Sequence, residues 1–69
     1  MQPLAETIIA VVSRRVGISD SDLAFAIYGR RVQQLVNGEC NHLANGRRIE
    51  RHPRPDGVIG NYPAGANSQ

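Results

Sequence analysis

Apolar residues recur at steps of three and four from Leu4 to Leu43. Beyond Gly46 the step drops to two, around Ile49 and again over Val58, Ile59 and Tyr62. A chain written this way has to fold as helices followed by a β-segment, because the two periods bury different faces. Leu4, Ile8, Val11, Val12 and Val16 predict a first helix over about 3–16, with Pro3 as its first residue and Gly17 beyond its end. Ile18 falls in a short extended link. Ser19 followed three residues on by Asp22 has the form of a helix cap, and Leu23, Ala24 and Ile27 predict a second helix over about 20–28, stopped by Gly29. Val32, Val36, Cys40 and Leu43, with Leu35 at their border, predict a third helix from about Val32 to Asn45. Gly38 interrupts it and Asn45-Gly46 is expected to supply a left-handed stop. The two extended runs flank "PRPDG", the composition of a hairpin loop of about five residues. The fold class expected is mainly α with a small β-hairpin. The domain spans 1–62 and a flexible tail or linker spans 63–69.

At 69 residues there is room for one thin core and no cofactor cavity. Cys40 is the only cysteine, so no internal disulfide is available and an intracellular, cytoplasmic setting is expected. The longest wholly apolar run, Ile8 to Val12, is far short of a membrane span. Cys40 and His42 lie two apart on one helix and point in nearly opposite directions, which removes them as a nucleophile–base pair or as two metal ligands on that element. His52 has no catalytic partner in the sequence. The expectation is therefore no enzyme activity, no cofactor, no metal and no small-molecule substrate.

Charge is distributed unevenly. The segment 1–29 carries Arg14 and Arg15 against Glu6, Asp20 and Asp22, whereas 30–69 carries six arginines against Glu39, Glu50 and Asp56. Every basic side chain is arginine, a planar fork suited to phosphate and to guanine edges.

Helix, short link, two helices joined by a tight glycine-containing turn, and a terminal hairpin: this order resembles the winged helix-turn-helix family of DNA-binding domains over about Leu4 to Tyr62. The phrase "LANGRRIERHPRPDG" is similar to the end of a recognition helix running into the first wing, with Leu43, Gly46 and Ile49 at the junction. Arg48 departs from the pattern, standing where an apolar residue is expected. The resemblance implies double-stranded DNA as partner, with the third helix in the major groove and the hairpin on an adjacent groove or the backbone. It implies a role in transcription regulation of bacterial type, or as the DNA-targeting domain of a larger protein, with association to the nucleoid if the protein is bacterial. The face of the third helix opposite its apolar stripe carries Gln33, Gln34, Asn37 and Asn41, with His42 nearer the edge. Asn and Gln match adenine's major-groove edge. Arg30 and Arg31 enter that helix and are placed to meet phosphates. Arg47, Arg48, Arg51 and Arg54 lie along the hairpin, with Arg54 held outward between two prolines. The other reading is a protein-interaction or dimerisation module without nucleic acid. It rests on Ile9 and Phe25, which fall off the main apolar faces and suggest a homodimer patch.

Overall fold

The computed structural model describes residues 3–30 and 32–65. Helix α1 (Leu4–Arg14) is followed by strand β1 (Ile18–Ser19), helices α2 (Asp20–Tyr28) and α3 (Gln33–Asn45), and strands β2 (Ile49–Pro53) and β3 (Ile59–Pro63). The protein is thus mixed α/β, three helices with a small antiparallel sheet of order β1-β3-β2. This corrects the expectation of a mainly α chain with a two-stranded hairpin. Ile18 pairs with Asn61 and Ser19 with Gly60, so the short link is a third strand. Two residues are too few to display a period of two, which is why sequence pattern alone leaves them as a link.

Each helix forms where its apolar stripe can be buried. Helix α1 buries Ile8, Val11 and Val12. It ends before Val16, which is 59% exposed rather than part of the stripe. The chain turns there through Gly17 at φ 89°, whose N–H donates to the Asn61 carbonyl at 2.8 Å. Helix α2 begins as its cap predicts: Ser19 Oγ accepts from the Asp22 N–H at 3.1 Å. It stops at Gly29, left-handed at φ 71°. Helix α3 buries Val36, Cys40 and Leu43 on one face. These side chains close with Leu23, Ala24, Ile18 and Ile49 into one core. Burial pushes the Cys40 thiol up to about 12, so it is a small core side chain and not a reactive group.

The end of α3 differs from expectation in one respect. Gly46 has φ −84°, and the left-handed residue is Arg47 at φ 61°. Arg47 N–H donates to the Ala44 carbonyl at 3.0 Å and Arg48 N–H to the Leu43 carbonyl at 2.9 Å, the paired bonds of a Schellman ending. With that register the left-handed position falls one residue past the glycine. Gly38, by contrast, is ordinary helix, and a Cβ built on it meets nothing within 4 Å. Gly38→Ala is expected to stabilise the chain by about 1 kcal/mol, from helix propensity and a less flexible unfolded chain. A lowered urea midpoint would show that the position is crowded after all.

In the hairpin, β2 and β3 pair from Ile49↔Pro63 to Pro53↔Ile59, so the ordered strand includes Pro63, the first residue of the expected tail. The loop 54–58 is closed by Gly57 N–H to the Arg54 carbonyl at 2.8 Å and Arg54 N–H to the Val58 carbonyl at 2.7 Å. Gly57 at φ 86° takes the conformation that glycine tolerates best. Among the described residues no helix is long and apolar enough to cross a membrane.

Candidate nucleic-acid interface

The exposed side of α3 carries the expected amides. Gln33, Gln34 and Asn41 are exposed, and Asn37 is half-buried between them. Asn41 Nδ2 donates to Asn37 Oδ1 at 3.4 Å, one helical turn apart. A groove of about 350 Å³ runs beside this face, with Gln33 and Asn37 on one wall and Val58 and Ile59 of the hairpin on the other. Asp20 and Arg51 line it as well.

Asp20 is the centre of the region and had no role in the sequence reading. It is the first residue of α2 and is 6% exposed. Its Oδ1 accepts from Arg51 Nη1 at 2.8 Å and Asn61 Nδ2 at 2.8 Å. Its Oδ2 accepts from Arg51 Nη2 at 3.0 Å and Asn37 Nδ2 at 2.7 Å. Four donors saturate a carboxylate. Asn61 is fully buried; its Nδ2 also donates to the Ile18 carbonyl, and its Oδ1 accepts from Arg51 Nη1 at 3.0 Å. Burial by itself would raise the Asp20 carboxyl, but the hydrogen bonds from Arg51, Asn61 and Asn37 outweigh it and hold the group below its ordinary value.

The arginines divide into two groups. Arg51 sits two residues after Ile49, hence on the same face of β2, and it turns inward to Asp20 rather than along the hairpin's outer surface. Arg54 folds back instead of pointing outward: Nη1 donates to the Gly17 carbonyl at 3.0 Å and Nη2 to Asp56 Oδ2 at 2.6 Å. Arg48, anomalous in the sequence, meets Glu6 of α1 at 2.6 Å across the solvent surface. Such an exposed pair contributes little. Among the described residues Arg14, Arg15, Arg30 and Arg47 take part in no ion pair. Arg31 lies outside the described residues. Arg30 and Arg47 are both exposed and bracket α3 at its two ends.

Glu50 and His52 occupy the opposite face of β2. His52 Nε2 lies 2.9 Å from Glu50 Oε1, and its ring packs on Tyr62 with centroids 5.6 Å apart. Gly65 N–H donates to Glu50 Oε2 at 2.8 Å, tying the end of the described chain to the sheet. Of the two apolar residues left over in the sequence, Ile9 packs against the core, whereas Phe25 is 54% exposed beside Tyr28 one turn on. Among the described residues no group of three or more His, Cys, Asp or Glu side chains is placed to hold a metal ion.

Compared with known proteins, the chain matches no family model, no curated protein and no solved structure.

Proposed function

We propose that this chain is a winged helix-turn-helix domain that binds duplex DNA, with α3 in the major groove and the β2–β3 hairpin as the wing, serving in transcription regulation or DNA targeting. The observation that carries the reading is the amide row of α3 bracketed by Arg30 and Arg47, which form no ion pair among the described residues. Helix α3 has 13 residues. At about 1.5 Å per residue it is about 20 Å long, enough to lie in the groove with a cation at each end for the flanking phosphates. The element order and the β1-β3-β2 sheet support the same reading. The ion pairs shift the expected phosphate contacts from the hairpin toward the ends of α3, since Arg48, Arg51 and Arg54 already hold carboxylates.

Arg47 separates folding from binding. A left-handed non-glycine residue costs about 1 kcal/mol, so Arg47→Gly is expected to stabilise the chain by roughly that amount. If Arg47 meets a phosphate, the same variant binds mixed-sequence duplex more weakly and with a salt slope reduced by about 1. The measurement is a chemical-shift titration of both proteins with duplex at two salt concentrations. Shifts should appear at Gln33, Gln34, Asn37, Asn41, Arg30 and Arg47. No shifts there at low salt would sink the DNA reading.

Phe25 and Tyr28, exposed together on α2, favour a second reading as a docking or homodimer surface. Concentration-dependent shifts confined to these two residues, without any response to duplex, would select it.

A further inference from the structure

Resting on the duplex-binding reading, we propose that Asp20 is a positioning residue that fixes the amide of Asn37 with its oxygen toward the groove, so that α3 selects bases carrying an exocyclic amino group over bases carrying a keto group. Arg51 grips both oxygens of Asp20 at 2.8 and 3.0 Å, which keeps the carboxylate ionised. An ionised carboxylate only accepts hydrogen bonds. The Asn37 group facing it, 2.7 Å from Oδ2, therefore has to be the NH2, and rotating the amide by half a turn would set two oxygens against each other. Asn41 Nδ2 donates to the Oδ1 at the opposite end of the same amide at 3.4 Å, in keeping with the orientation that the carboxylate imposes.

A free asparagine reads either kind of base, because its amide can turn to offer donor or acceptor. Asn37 cannot turn without losing its bond to Asp20. Its Oδ1, with one lone pair turned to Asn41, can take one further donor, which in the major groove means adenine N6 or cytosine N4, and it meets guanine O6 or thymine O4 with repulsion. Asp20 and Arg51 take part in recognition without touching DNA.

The test begins with a duplex selected from a random pool by the full chain, followed by amino-to-keto replacement at each position. The wild-type chain is expected to show a preference of about tenfold for the amino base at one position. Asn37→Ala should abolish that preference. Asp20→Asn, whose amide can accept as well as donate, should weaken it while the other positions stay as they were. A purely structural role for Asp20 would change affinity at every position alike. Because Asp20→Asn lies in a buried pair, its folding is checked by thermal melting. Should it not fold, side-chain amide exchange in the wild-type chain decides: Asn37 protons are expected to exchange more slowly than those of exposed Gln34. Equal exchange, or a preference untouched by Asn37→Ala, overturns the proposal. Slow Asn37 exchange in a chain that binds no duplex overturns the DNA reading, and the base preference with it, while leaving the amide orientation intact.

Discussion

Asp20→Ala is expected to leave the chain largely unfolded at 25 °C. The substitution strips four hydrogen bonds from a site 6% exposed and leaves Arg51, whose side chain is 14% exposed, without its counter-charge. Removing one partner of a buried ion pair costs about 3–5 kcal/mol, because the survivor remains desolvated. A single core in a chain this short rarely supplies more than about 3–5 kcal/mol in total, so the loss is comparable with the whole stability. Replacing both partners together, Asp20→Leu with Arg51→Met, should recover part of the loss, since no charge is then buried alone. Circular dichroism and urea unfolding measure both variants. A cooperative Asp20→Ala protein with an unshifted midpoint would mean that the pair is solvated. The same carboxylate sets the acid limit. Its folded-state pKa is depressed, so its contribution is fully present above the unfolded value of about 4 and is lost as pH falls through the lower folded value.

How far this arrangement can be seen in the sequence depends on whether the determinant is local. The three helices are legible within two residues because each carries its own apolar stripe: Ser19 caps α2 and Gly29 ends it, and Val36, Cys40 and Leu43 define the buried side of α3. Strand β1 is not legible, since its two residues are extended only because β3 lies beside them. The left-handed Arg47 escapes for a related reason, as the ending of α3 is set by bonds to Leu43 and Ala44 and not by residue type. Arg51 is an intermediate case. Its spacing of two from Ile49 places it on the inner face, and the same rule places Asn61 opposite it, but an arginine so placed needs a buried acid that pattern cannot supply. Asp20 lies 31 residues from Arg51 and 41 from Asn61. As a first-turn acid of α2 it has a sufficient local role already, which conceals the long-range one.

Gly60→Ala is expected to destabilise the chain by about 2–3 kcal/mol, near the upper end of what overpacking costs. Gly60 lies in the central strand, between Ser19 of β1 and His52 of β2. A Cβ there would sit 2.8 Å from the Gly17 carbonyl oxygen and 3.0 and 3.1 Å from Cγ and Cδ of Arg54. The arginine can swing aside, giving up its bond to Gly17. The carbonyl has less freedom, because Gly17 is already committed to φ 89° and its N–H is bonded to Asn61. Relief therefore requires β1 to move away from β3, and β1 carries Ser19, the cap of α2, directly before Asp20. One methyl group should thus loosen the strand, the cap and the polar centre in a single step. The contrast with Gly38→Ala is the control: the same substitution, in open space on α3, is expected to act in the opposite direction. Paired urea curves give the answer, and shifts of the same sign for both variants would mean that Gly60 is tolerated in its strand rather than required by the approach of Gly17.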